Sequence, residues 1–202
     1  MNAEVADILR PPMRFDESRS SHTMSWLIVT EAMLFVSLFF TYFFMAANNA
    51  RWPMDEPPKL KLALWMLAVL LVSSGVLEVA RHLRKRNHGA ASRIATVIAA
   101  LLGIGFLLIQ GAEYRERLKV VTPLTDAYGS IFYTITSIHG LHVLFGVLAL
   151  LFVTCLPHPG PGARRPPHRA LHAATMYWHF VDAVWVVIVA LLYLLPHWQG
   201  KA

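Results

Sequence analysis

Apolar residues along the chain are gathered into long blocks, and few charges interrupt them. Each block is about 20 residues or longer, the length that an α-helix needs to cross the hydrocarbon core of a bilayer. Stretches rich in proline, glycine or charge separate the blocks, such as MDEPPK before the second and PHPGPGARRPPHR before the fifth. The pattern predicts an all-α fold, a polytopic integral membrane helix bundle with five transmembrane helices at about residues 24–47, 60–83, 92–111, 128–156 and 173–196.

The composition agrees with a membrane protein. The 202 residues are 56% hydrophobic and 15% charged, whereas soluble domains are about 25% charged. Nothing indicates a second domain, so residues 1–202 are predicted to form a single membrane domain. Residues 1–23 lack the apolar core of a cleavable signal peptide and are predicted to be a cytoplasmic tail. Cys155 is the sole cysteine, which excludes an internal disulfide.

The basic residues between the blocks predict the orientation of the chain, because cytoplasmic loops of membrane proteins carry an excess of Lys and Arg. The densest cluster, RHLRKR, follows the second block. With the N-terminus inside, eleven Lys and Arg residues lie on the cytoplasmic side and seven on the other. The sequence therefore predicts an N-in, C-out topology. The formal net charge of +6 is interpreted as topology signals and lipid contacts, so no nucleic-acid partner is expected.

Several polar residues lie inside the predicted spans. Each is costly in lipid unless it meets a partner or a water-filled cavity, so these residues should mark interior faces of the bundle. They are Glu31, Glu78, Gln110, His139, His142, His179 and Asp182.

Glu31 lies about two turns into the first span, roughly 10 Å from its cytoplasmic end. Two interpretations of this residue stay open. The carboxyl group joins two helices through a hydrogen bond, or it handles protons or binds a lipid headgroup near a cytoplasmic entrance.

Two acids stand three or four residues before a basic residue near a helix end. Glu78 precedes Arg81, and Glu113 precedes Arg117. This spacing predicts local ion pairs along one helix.

His139 and His142 share a helix face and could ligate a metal with His179 and Asp182. Zinc and copper take three or four ligands, and hydrogen bonding between helices is the preferred interpretation, so no metal site is predicted. Asp182 and the two fourth-span histidines should lie near the middle of the membrane. We therefore expect Asp182 to pair with one of them.

Small residues support a close contact of the fourth and fifth spans, since Gly140 and Gly146 would let two backbones approach. The sequence contains no GxSxG, HExxH, P-loop or dinucleotide-binding motif. A stand-alone proton-coupled transporter that uses Glu31 and Asp182 is an alternative of another class. Transporters tend to show inverted repeats and broken helices, and neither is evident here.

Four segments together resemble subunit III of the haem-copper oxidases, in that family's order and spacing. They are TEAMLF (30–35), LIQGAEY (108–114), YGSIFYTITSIHGLHVLFG (128–146) and YWHFVDAVW (177–185). The family commonly has seven spans, and this chain looks like the short five-helix bacterial form that lacks the first two. Glu31 matches the family's intramembrane glutamate, with Thr30 where Ser is usual.

The resemblance implies an accessory, non-redox subunit of a proton-pumping terminal oxidase in the bacterial cytoplasmic (inner) membrane. It implies that this chain binds no cofactor of its own except phospholipid, and that haem and copper belong to partner subunits. Subunit I is the implied main contact, with subunit II and subunit IV as further partners. His139, His142, His179 and Asp182 match intramembrane positions that are structural in the family. A quinol oxidase or a nitric oxide reductase stays open as the host complex, although TEAMLF argues mildly against the latter.

Overall fold

A computed structural model describes residues 17–49, 52, 59–119, 122, 127–156 and 168–199. Most of the predicted tail and the Pro- and Gly-rich linker before the fifth span lie outside these residues. The side chains of residues 17–21 and several basic residues on which the topology prediction depends, such as Arg10 and Arg164, are also outside them.

Five long helices follow one another along the chain. They are α1 (Glu17–Asn48), α2 (Leu60–Lys85), α3 (Gly89–Arg117), α4 (Ala127–Cys155) and α5 (His168–Ile188). A π-helical segment (Val189–Leu194) and the short α6 (Leu195–Gln199) follow α5. All five are long and apolar enough to span a membrane, α5 together with the π-helical segment, and the described part of the chain holds no strand.

The predicted all-α membrane fold is thereby confirmed, while the side on which each terminus lies stays a prediction. The largest difference in length concerns α3, which continues to Arg117 rather than ending near residue 111. Its last turns carry polar side chains that nonetheless pack against neighbouring helices, which the apolar pattern could not indicate.

Helices α2 to α5 form a ring in which each packs against the next and α5 closes against α2. Helix α1 packs outside this ring, against α4 and α5. It buries a narrow stripe that includes Phe35 and Tyr42, and it exposes large apolar side chains such as Trp26, Met33 and Phe40 on its other face. A helix with this distribution faces lipid or another subunit over most of its surface.

Trp178 of α5 lies at the centre of the ring, fully buried. Its indole fits between two glycines, because a Cβ built on Gly103 of α3 would lie 2.5 Å from the ring and one on Gly146 of α4 would lie 2.8 Å from it. Its Nε1–H donates to the hydroxyl of Ser73 on α2 at 2.9 Å. Gly146 therefore makes room for a tryptophan ring rather than for a neighbouring backbone. Through these contacts the side chain of Trp178 joins α5 to α2, α3 and α4.

The π-helical segment ends two residues before Pro196. Proline has no N–H and cannot donate to a carbonyl of the preceding turn. The N–H of Leu195 donates to the carbonyl of Ala190, five residues back. An N–H at residue 196 would bond the carbonyl of Leu192 in α register or that of Leu191 in π register, and Pro196 can supply neither bond. Two tyrosine hydroxyls bond these carbonyls instead: Tyr42 of α1 donates to Leu191 at 3.0 Å, and Tyr128 of α4 donates to Leu192 at 2.8 Å.

Candidate functional site: polar contacts between the spans

Glu31 of α1 meets His142 of α4, with 3.0 Å between Oε2 and Nε2. The imidazole Nδ1 lies 2.7 Å from the backbone carbonyl of Ile138, one turn earlier on its own helix. Tyr177 of α5 donates its hydroxyl to the backbone carbonyl of His142 at 3.3 Å, and Phe35 packs edge-on against the imidazole. The side chains of Glu31 and His142 are 30% and 13% exposed, so the pair lies at the rim of the bundle.

The number of protons on this pair follows from its hydrogen bonds. A carbonyl oxygen accepts and never donates, so Nδ1 of His142 carries the hydrogen that bonds Ile138. A second proton must then lie between Nε2 and the carboxyl oxygen of Glu31, on one atom or the other. Either placement leaves the pair without net charge, which lowers its cost in a hydrocarbon environment.

Asp182 of α5 does not pair with a histidine of α4, contrary to the sequence prediction. Its Oδ2 accepts a short hydrogen bond from the hydroxyl of Ser74 on α2, and that hydroxyl also lies 3.0 Å from Nδ1 of His179. The prediction was wrong because it considered only helices that are neighbours in sequence. Helix α5 also closes the ring against α2, and its Asp182 side is turned toward that helix.

His139 is fully buried and stacks on Trp185, with 5.0 Å between ring centroids. Phe106 of α3 packs edge-on against the imidazole at 5.7 Å. Within the described part of the chain neither ring nitrogen has a hydrogen-bond partner. His139 is thus an aromatic packing residue in this chain, not a partner of Asp182.

Gln110 of α3 joins α3 to α4. Its Nε2 donates to the backbone carbonyl of Thr136 at 2.8 Å. A Cβ on Gly140 would lie 2.8 Å from the Gln110 amide oxygen, so this glycine provides space for an amide rather than for a helix backbone. The hydroxyl of Tyr114, one turn further on α3, lies 3.2 Å from that of Ser137.

The two predicted ion pairs at helix ends differ in the structure. Arg81 and Glu78 lie 2.7 Å apart, nitrogen to oxygen. Glu113 instead turns inward and accepts a hydrogen bond from the hydroxyl of Tyr193 at 3.2 Å. Arg117 lies over the ring of Phe132, 4.5 Å from its centroid. The predicted ion pair between Glu113 and Arg117 was therefore wrong. A buried tyrosine binds the carboxylate and an aromatic ring binds the guanidinium instead.

The predicted site residues therefore do not meet at one place. Glu31 and His142 form one contact, Asp182 and His179 form another with Ser74, and His139 and Gln110 lie in separate contacts. Among the residues that the structure describes, no three His, Cys, Asp or Glu side chains come close enough together to hold a metal ion.

A family model described as cytochrome c oxidase subunit III matches residues 19–199 of the chain. The chain belongs to this family. The subunit 3 of cytochrome c oxidase from Synechocystis sp. is 35% identical over 170 residues, which cover 83% of this chain and 72% of that protein. The probable cytochrome c oxidase subunit 3 of Nocardia farcinica is 36% identical over 177 residues, 85% of each chain. The cytochrome c oxidase subunit 3 of Artemia franciscana is 33% identical over 183 residues, which cover 88% of this chain and 68% of that protein.

Family membership confirms the sequence-based resemblance to oxidase subunit III and fits the multi-pass membrane fold. Several residues that tie this subunit III chain together were missed in the sequence. They are Ser73, Ser74, Tyr42, Tyr128 and Tyr193, which bond across helices. The pair Ser73–Ser74 in α2 and Pro196 in α6 were the only signals for them in the sequence. Serine and tyrosine are common in membrane helices, so neither signal identifies a partner.

Proposed function

We propose that the chain is an accessory, non-redox subunit of a proton-pumping terminal oxidase, in which it stabilises subunit I, binds phospholipid and supports proton uptake. The observation that carries the proposal is the family match over residues 19–199. The relatives described above are named as cytochrome c oxidase subunits, which favours that host over a quinol oxidase or a nitric oxide reductase. Haem and copper then belong to partner chains in a bacterial cytoplasmic membrane, with subunit I as the main contact and subunits II and IV as further partners.

The contacts of the buried polar side chains support a structural role for most of them. Ser74, Gln110 and Tyr193 each bond a group on another helix and so stabilise the bundle. A bundle held in this way presents a stable apolar surface to a larger neighbour. Helix α1 supplies the most exposed apolar surface, because it buries only 11% of its most apolar stretch within the chain.

Glu31 and His142 support the proton- or lipid-related part of the proposal. The pair lies at the rim of the bundle, and Glu31 belongs to α1, the helix that exposes most of its surface. Because one proton lies between Oε2 and Nε2, the pair can pass it from one atom to the other without a change of net charge. The exposed part of the Glu31 side chain is also reachable by a lipid headgroup or a subunit I side chain.

The test uses the complex purified through an affinity tag on this chain. We expect the chain to co-purify with a haem-containing subunit, and reduced cytochrome c to be oxidised by the complex. Glu31→Gln keeps a hydrogen-bonding side chain but removes the acid. We therefore expect normal assembly, a normal initial rate and a faster loss of activity over many turnovers.

The matched control is Glu116→Gln, since Glu116 is exposed and its carboxylate meets Lys119 at 2.9 Å on the surface. This control should leave both assembly and sustained turnover unchanged. If Glu31→Gln and the wild type lose activity at the same rate over many turnovers, the proposed role of Glu31 is wrong. If the chain purifies without haem and transports protons by itself in liposomes, the whole proposal is wrong and the chain is a transporter.

A further inference from the structure

The carboxyl group of Asp182 is connected to the outside of the bundle through two other side chains. Its Oδ2 bonds the hydroxyl of Ser74, and that hydroxyl lies 3.0 Å from Nδ1 of His179. The other ring nitrogen of His179, Nε2, lies 3.9 Å from Oε2 of Glu78. We call His179, Ser74 and Asp182 the polar row, and Glu78 lies at its outer end.

The two ends of the polar row lie in different environments. Ser74 and Asp182 are buried, whereas the side chain of His179 is 45% exposed and that of Glu78 is 56% exposed. Glu78 lies seven residues before Lys85, the last residue of α2, which is roughly 10 Å along the helix. Protons from the membrane surface can therefore reach the outer end of the row, and the row gives the buried carboxyl group a route to them.

Two arrangements of hydrogens fit the same atom positions, because a serine hydroxyl has one hydrogen and its oxygen can also accept. In the first arrangement Ser74 donates to an ionised Asp182 and accepts a hydrogen bond from Nδ1–H of His179. In the second arrangement Asp182 is protonated and donates to Ser74, whose hydroxyl donates to Nδ1 of His179. The hydrogen of the neutral imidazole is then on Nε2, which faces Glu78.

One proton converts the first arrangement into the second. The proton binds Nε2 of His179, and Nδ1 releases its hydrogen to the oxygen of Ser74. Ser74 passes its original hydrogen to Oδ2 of Asp182. The net result is that Asp182 gains one proton, while His179 and Ser74 are neutral before and after the transfer. The reverse steps return the proton to the surface.

The surroundings of Asp182 favour the uptake of this proton. Its Oδ1 is buried and has no hydrogen-bond partner in the described part of the chain. A buried carboxylate with an unbonded oxygen is costly, and protonation removes its charge. The carboxyl group can therefore hold the proton that the row delivers.

Other charged and titratable side chains lie on both sides of α5. On the α1 side, Glu31 and His142 bond each other, and His139 stacks on a tryptophan. His179 is thus the titratable group that contacts Ser74, and Glu78 is the acid that faces its outer nitrogen. The basic and titratable groups beside Glu78 are Arg81, Lys85 and His172.

We propose that His179 and Ser74 relay a proton between the membrane surface and the buried carboxyl group of Asp182, which makes Asp182 a reversible proton-binding site inside the bundle. Glu78 attracts the incoming proton to Nε2 of His179. The inference goes beyond the proposed function, because the site lies on α2 and α5 and involves neither Glu31 nor a group of another subunit.

Infrared difference spectroscopy of the purified complex tests the site. A step to lower pH should produce the C=O stretching band of a protonated carboxyl group, and this band should be missing in Asp182→Asn. His179→Ala should slow the appearance of the band about a hundredfold, the lower end of what a positioned proton-transfer group contributes. The matched control is His172→Ala, since His172 is an exposed histidine two turns earlier on α5. Its band should appear at the wild-type rate.

Two further measurements separate a relay from a structural role. His179 is partly exposed, so free imidazole can enter the space that His179→Ala leaves and should restore the rate. Ser74→Thr keeps the hydroxyl and should keep the wild-type rate, whereas Ser74→Ala should slow the band as His179→Ala does.

Three results would overturn the inference. They are the absence of any band that depends on Asp182, a wild-type rate in His179→Ala, and a slow His179→Ala variant that imidazole leaves unchanged. Absence of haem from the same preparation would overturn the proposed function alone, because the infrared measurement concerns residues of this chain.

Discussion

Replacing Tyr128 with Phe should destabilise the chain, because its hydroxyl supplies a hydrogen bond that Pro196 cannot. The hydroxyl donates to the carbonyl of Leu192 at 2.8 Å, and Tyr128 is buried. In a regular α-helix that carbonyl would accept from the N–H of residue 196. Phe keeps the ring and its packing, so the variant removes only the donor.

The magnitude follows from the environment of the carbonyl. A buried acceptor left without a partner costs about 1–3 kcal/mol in proteins generally. Hydrogen bonds between membrane helices average about 0.6 kcal/mol and reach about 1.7 kcal/mol. Because the Leu192 carbonyl lies beside a proline and has no alternative backbone donor in α register, we expect Tyr128→Phe to lower the free energy of unfolding by about 1–1.5 kcal/mol, toward the upper end of the membrane range.

A double-mutant cycle with Pro196→Ala identifies the cause. Alanine restores an N–H at position 196, which can donate to the carbonyl that loses the tyrosine. The loss caused by Tyr128→Phe should therefore fall by about 1 kcal/mol in the Pro196→Ala background.

The assay is the free energy of unfolding in mixed micelles with increasing sodium dodecyl sulfate, followed by helical circular dichroism. Retention of the chain in the oxidase complex after heating provides an independent measure. An equal loss for Tyr128→Phe in both backgrounds would refute the link between the proline and the tyrosine.

Two further predictions concern packing and the α2–α5 contact. Gly146→Ala should cost about 1–3 kcal/mol of unfolding free energy, since the new methyl group would lie 2.8 Å from an indole, whereas Gly111→Ala should not destabilise the chain; equal melting of the two variants in the purified complex would contradict the packing described for α5. Ser74→Ala should cost about 1–3 kcal/mol because it removes the donor to buried Asp182, and Ser74→Thr, which keeps the hydroxyl, should recover part of the loss in the same measurement. If alanine and threonine behave alike, the hydroxyl is not the stabilising group.

The helices could be predicted from the sequence because apolar length is a property of a continuous segment. Each block in the sequence corresponds to one helix that is long enough to span a bilayer. Helix ends were less predictable. Glu113 and Arg117 looked like the exposed end of a helix, yet Glu113 is buried against Tyr193 and the helix continues to Arg117.

Partners of polar residues could be predicted only along one helix. The spacing of Glu78 and Arg81 depends on helix geometry alone, and the two side chains lie together. The partner of Asp182 depends on which helices adjoin in the ring, and a pattern within single segments does not contain that information. The prediction therefore chose a histidine of the preceding helix, whereas the structure brings Ser74 from 108 residues away.

The contact between Glu31 and His142 has a consequence for biosynthesis. The two residues are 111 positions apart, and α1 is made first. At about 5–20 residues per second, roughly 6–22 seconds pass before the ribosome adds the imidazole. During that interval the nascent first segment holds an acid in or beside the translocon with no base to meet it. The carboxyl group of Glu31 therefore enters the membrane before its partner has been made, and its contact with α4 can form only after α4 has been inserted.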